Sequence, residues 1–149
     1  MERRALLDLG DHRGDLPDTA WKMDASGGGY GVVGESFHRD TIAAIVGGSQ
    51  PEAIKFVTWA ALIREPDNPY DPNAVGIYIS GEVVGHLPKR DAAAFAPILD
   101  RVAATGRTAY ARADIFGGWD RGPDDRGDYS VTLYMGPPEA QEARLERGG

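Results

Sequence analysis

A chain of 149 residues, 42% hydrophobic and 26% charged, has room for one domain of ordinary size and excludes a motor or polymerase beside it. No apolar run reaches the ~20 residues of a membrane span, and the absence of cysteine excludes disulfides and thiolate metal sites. The net charge is −7, and residues 30 to 136 alone hold 10 basic against 14 acidic side chains, or −4, which argues against the broad phosphate-neutralising surface of long nucleic-acid binders. A site for one or two nucleotides escapes that objection. The N-terminus lacks the basic-then-apolar pattern of a secretory signal, so a cytoplasmic location is expected.

In chain order, residues 1–29 mix charges with Gly, Asp and Pro and end in Ala25-Ser26-Gly27-Gly28-Gly29. That composition predicts a flexible arm, with at most a short helix over Arg3 to Leu9. Val32 to Phe37 reads as a strand. Asp40 to Val46 sets Ile42, Ile45 and Val46 on one face of a short helix. Phe56 to Ile63 is apolar nearly throughout, the pattern of a strand buried on both faces. Val75, Ile77 and Ile79 alternate with Gly76, Tyr78 and Ser80, and Ser80-Gly81 turns that strand toward Val83-Val84. From Asp91 to Ala104, Phe95, Ile98, Leu99 and Val102 form one apolar stripe, with Pro97 expected to kink the helix or start a second turn. Thr108 to Phe116 and Tyr129 to Met135 alternate again and predict a hairpin with a long Gly, Asp and Pro-rich loop. Beyond Gly136 a polar stretch to residue 149 predicts a tail. The sum is a mainly β (α+β) fold, a small OB-like β-barrel of five to six strands with one principal helix and a short extra helix, occupying residues 30–136.

Several short motifs carry no chemistry. Gly29, Gly31 and Gly34 satisfy G-x-G-x-x-G but precede a strand, so no helix N-terminus faces a phosphate. There is no Walker-type G-x-x-x-x-G-K-[ST]. His12, His38 and His86 are too scattered for a local metal signature, and Ser36 with His38 has no nucleophile elbow. No cofactor, metal ligand or catalytic residue is assigned.

The informative segment runs from Leu62 to Val75, where Pro66, Pro69 and Pro72 fix φ at every third residue and Asn and Asp are placed to cap the turns. A loop so stiffened presents Tyr70 and Asp71 in one orientation at little entropic cost to a ligand. On local physics alone, a binding loop and a rigid turn whose Tyr70 covers the core edge are evenly matched.

The string Arg64-Glu65-Pro66-Asp67-Asn68-Pro69-Tyr70-Asp71-Pro72-Asn73-Ala74-Val75, followed by Val84-Gly85-His86-Leu87-Pro88-Lys89 and an alanine-rich helix ending Ala96-Pro97-Ile98-Leu99, resembles the HIRAN domain. That domain stands at the N-terminus of fork-remodelling SNF2-type ATPases and, in bacteria, alone or beside nucleases. The resemblance spans Val32 to Leu99 closely and extends to Met135. It implies an OB-like barrel that captures the 3′-hydroxyl end of single-stranded DNA without altering it. By position it makes Tyr70 the aromatic that stacks on the terminal base and Asp71 the carboxylate that accepts the terminal hydroxyl's hydrogen bond. It makes His86 and Lys89 phosphate contacts and Phe37 a second stacking face, with Tyr129 a third. Ser36 stands where some members carry a basic residue, and the segment from Arg39 to Ser49 is an insertion.

Three functions follow as expectations. The first is a stand-alone DNA-end-binding module in repair, replication or defence, working with a helicase, nuclease or other protein partner. The second is a protein-interaction module that keeps the barrel without DNA binding, as the negative charge allows. The third, a metal-dependent nuclease using Glu35, His38, Asp71 and His86, has no ligand spacing to support it.

Overall fold

The computed structural model describes residues 6–148. Eight strands and three helices follow in chain order: β1 (Leu7–Asp11), β2 (Ala20–Lys22), β3 (Gly29–Gly31), α1 (Arg39–Ile45), β4 (Ile54–Arg64), β5 (Val75–Ile79), β6 (Glu82–His86), α2 (Lys89–Ala104), β7 (Thr108–Gly117), β8 (Tyr129–Tyr134) and α3 (Pro138–Glu146). Six strands are ordered β3-β8-β7-β4-β5-β6, every pairing antiparallel. Just beyond β3, Val33 donates to the His86 carbonyl and accepts from the His86 amide, both at 2.9 Å. This bridge joins the first strand of the row to the last and closes the expected small barrel.

The core follows from the pleat. On β4 and β5, Ile54, Phe56, Ala60 and Leu62 and then Val75, Ile77 and Ile79 point inward, so the apolar runs of the sequence become barrel lining. Ser80 (φ 53°) and Gly81 (φ 79°) form the tight turn to β6, the hairpin geometry that needs two left-handed residues. Helix α2 packs Phe95, Ile98, Leu99 and Val102 into the same core. It runs unbroken through Pro97 because Pro97 and Ala93, whose carbonyl loses its amide partner, both lie on the exposed side, where water replaces the lost bond.

Three expectations are corrected. Residues 6 to 29 are no arm: β1 pairs parallel with β4, β2 pairs parallel with β7, His12 stacks on Phe56 at 4.1 Å, and Trp21 and Met23 are buried. Residues 1–5, where part of the expected helix falls, lie outside the described residues. The predicted strand from Val32 to Phe37 stops early, because Gly34 (φ 81°) turns the chain off the sheet into a 3-10 turn over Glu35–His38. The C-terminal stretch is not a tail either. It forms α3 against α2, and its Gln141 is fully buried.

Gln141 ties the two ends of the fold together. Its Oε1 accepts from the Asp24 amide (2.8 Å), and its Nε2 donates to the carbonyls of Asp24 (2.9 Å) and Gly136 (3.1 Å). Arg144 adds a bond to the Lys22 carbonyl (2.7 Å) and lies over the Trp21 ring. Gln141→Leu keeps the volume and orphans the backbone groups, so it should destabilise the chain by about 2 kcal/mol, read as a lowered urea midpoint; an unchanged midpoint would return the segment to the status of a tail.

Candidate nucleic-acid interface

The loop between β4 and β5 is built from hydrogen bonds that its own sequence supplies. Asn68 Oδ1 accepts from the amides of Tyr70 (2.9 Å) and Asp71 (3.2 Å), and Asp71 Oδ1 accepts from the Asn73 amide (2.9 Å). These are the Asx turns that Asn and Asp form between prolines. The Glu65 amide donates to Ala74 O and the Ala74 amide to Asp71 O, so the loop's base is closed as well.

Two adjacent residues at the end of β4 brace it from opposite faces of the sheet. Arg64, on the helix side, donates to the carbonyls of Pro72 (3.0 Å) and Ala74 (3.1 Å) and pairs with Asp100 of α2 (3.0 Å). Glu65, on the outer side, accepts from Asn68 Nδ2 (3.0 Å) and from His86 Nε2 (3.0 Å). Its carboxylate lies over Gly76, where a Cβ would collide with it. Neither brace was assigned a role from the sequence. The usable signal was their place immediately before a proline-stiffened loop, where two adjacent charges of opposite sign can each bond to the loop.

Glu65 titrates below its ordinary value of 4.5. Burial, the largest influence, raises it, and the hydrogen bonds from Asn68 and His86 with the His86 charge outweigh that effect.

The six candidate residues divide. Tyr70 is 92% exposed and Phe37 88% exposed, so both rings face solvent. Asp71 is half-buried beside Tyr70, with one carboxylate oxygen in its Asx turn and no described residue donating to the other. His86 is half-buried on β6, and Lys89 is exposed three residues later at the first turn of α2, which has no side-chain cap. A chain of bonds links three of them, His86, Tyr70 and Asp71: Val33 to His86 through the backbone, His86 to Glu65, Glu65 to Asn68, and Asn68 to the amides of Tyr70 and Asp71. Tyr129 is the exception and is corrected. It is 5% exposed, packed between the Arg39 guanidinium and Gly118, so it offers no face to a base.

The nuclease quartet is not assembled. Glu35 accepts from the Val131 amide of β8 (3.2 Å) and His86 is engaged by Glu65; among the described residues no three His, Asp or Glu converge to hold a metal ion.

Comparison with known proteins gives a match to the family model of the HIRAN domain over residues 42–119. The crystal structure of the HIRAN domain of human HLTF is similar at 26% identity, covering 77% of this chain and 79% of that one, with a TM-score of 0.37. No curated protein matches the chain.

A carboxyl depressed in the folded state contributes stability that is complete above its unfolded value and is lost as pH falls through the folded one. Glu65→Gln should therefore lower stability to urea at pH 7, and the gap to the parent chain should shrink as pH drops below 4.5. A gap that does not change with pH would mean that the carboxylate's charge plays no part in bracing the loop.

Proposed function

Because this chain belongs to the HIRAN family of DNA-binding modules, we propose that it is a non-catalytic module that holds the 3′-hydroxyl end of a DNA single strand in the Tyr70 loop. The observation that carries this reading is the 92% exposure of Tyr70 on a loop whose backbone is fixed by Asn68, Glu65 and Arg64. A tyrosine covering the core edge would be buried. One presented to solvent on a fixed backbone is prepared for a flat partner, with no backbone left to order when that partner arrives.

The neighbouring groups supply the rest of the recognition. The unengaged oxygen of Asp71 accepts a hydrogen bond from a terminal hydroxyl and repels a terminal phosphate, so one side chain both binds the end and selects its type. His86 and Lys89, beside the uncapped N-terminus of α2, take the last phosphates. Phe37 offers a second ring. With so few cations in an acidic domain, the grip extends over very few nucleotides. Repair, replication or defence is the setting for such a module, with a helicase or nuclease partner acting on the end it holds.

The net charge of −4 over residues 30 to 136 favours a second reading, a protein-interaction module in which Tyr70 and Phe37 anchor a polypeptide. Fluorescence anisotropy with short single strands separates the two. The 3′-hydroxyl strand should bind more tightly than its 3′-phosphate counterpart, Asp71→Ala should erase that difference, and Tyr70→Ala should weaken binding by about 1–3 kcal/mol. Two phosphate contacts set a shallow log-log salt slope, roughly −1.4. Equal affinity for both ends overturns end recognition, and absence of any oligonucleotide binding at low salt favours the protein module.

A further inference from the structure

The outward face of β4 continues past Glu65 into a groove that the end-binding reading leaves unused. Register places Lys22 of β2, Tyr110 of β7, Ala61 of β4 and Tyr78 of β5 in one row across four adjacent strands, and residues paired across a sheet point to the same face. Ala61 is the low point of that row. The two tyrosines on either side of it are separated by two strand spacings, about 9.5 Å at the backbone. Trp59, two residues before Ala61, stands on the same face and is held in place by a bond from its indole nitrogen to Gly14 O (3.0 Å). The groove has a volume of about 450 Å3, and Asp15 on the segment between β1 and β2 supplies a carboxylate at its wall.

Two observations identify the occupant. The first is charge: the Lys22 ammonium lies 5.5 Å from the centre of the Trp59 ring and has no carboxylate partner among the described residues, whereas Arg13 and Arg112 nearby are paired with Asp11 and Asp114. The second is continuity. A Cβ on Gly76 would meet both the Glu65 carboxylate and, at 2.9 Å, Tyr78 Cε1, so the Tyr78 ring and the brace of the Tyr70 loop share one glycine. Ala61 lies four residues before Glu65 on a single strand, about 13 Å along the sheet.

We propose that the groove is a second nucleotide subsite. One nucleobase inserts between Tyr78 and Tyr110 above Ala61, Asp15 accepts a base amino group, and Lys22 neutralises the adjoining phosphate. This inference rests on the reading of the Tyr70 loop as the holder of the strand's terminus, and it places the inserted base a few nucleotides inward of that end.

The test compares a fluorescein-labelled trinucleotide and octanucleotide, both ending in 3′-hydroxyl, on the whole chain. The octanucleotide should bind more tightly. Tyr110→Ala should weaken the octanucleotide by about 5- to 140-fold, the worth of one stacked base, and leave the trinucleotide within twofold of the parent. Ala61→Leu, which fills the slot and removes no ring, should do the same, and thermal melts confirm that each variant is folded. An octanucleotide that ignores both substitutions, or a trinucleotide weakened equally, overturns the subsite. The two readings fail separately: an octanucleotide bound equally with 3′-hydroxyl and 3′-phosphate overturns end recognition, and the subsite still stands if Tyr110→Ala weakens that octanucleotide.

Discussion

Two backbone hydrogen bonds between Val33 and His86 close the barrel, and most of what the molecule presents to a ligand depends on them. A six-stranded sheet left open would have two edges of unpaired amides and carbonyls. The bridge satisfies the backbone groups of Val33 and His86 and fixes His86 at a seam, where its ring meets Glu65. It also brings the 3-10 turn carrying Phe37 against β6. The candidate site is thus assembled at the point where the chain's ordering into a barrel is completed, and its residues come from both sides of that seam.

The loop beside the seam shows how a small acidic domain can position groups for a ligand without a large charged surface. Arg64 and Glu65 are consecutive, so the pleat sends them to opposite faces, and each uses its charge on the loop's own backbone or on neighbouring side chains. Their charges therefore act inside the fold. The groups left for a ligand are one oxygen of Asp71, the Nδ1 side of the His86 imidazole, the ammonium of Lys89 and exposed rings, which act through direction more than through total charge.

The sequence was legible where burial and periodicity agree. The strand over Ile54–Arg64, the hairpin at Ser80-Gly81, the helix over Lys89–Ala104 and the long-looped pair at Thr108–Gly117 and Tyr129–Tyr134 all follow the expected patterns. The segments misread are those whose order comes from a few long-range anchors. β1 and β2 are short and lack a long apolar pattern, and they are ordered by parallel pairing, by the buried Trp21 and Met23, by the stack of His12 on Phe56 and by the bonds of Gln141 and Arg144 to Asp24 and Lys22. Gln141 reads as a solvated polar residue, because its three partners lie on backbone that only the folded chain brings near it. Tyr70 and Asp71 were singled out through loop chemistry and family pattern. Tyr129 was misassigned because alternation places a residue on a face and does not reveal that an arginine and a glycine already occupy both sides of its ring.

β4 is eleven residues long. Along that strand lies the row at Ala61 and, just past its end, the brace at Glu65 and the stiffened turn, all on one continuous backbone that is paired on both sides at Ala61 and Leu62. Such a strand can neither stretch nor slip its register without turning its inward side chains outward. The distance between slot and turn is therefore set by the pleat, and no loop can adjust it. In that sense β4 is a gauge, and a strand laid along it would be measured in fixed steps from its end.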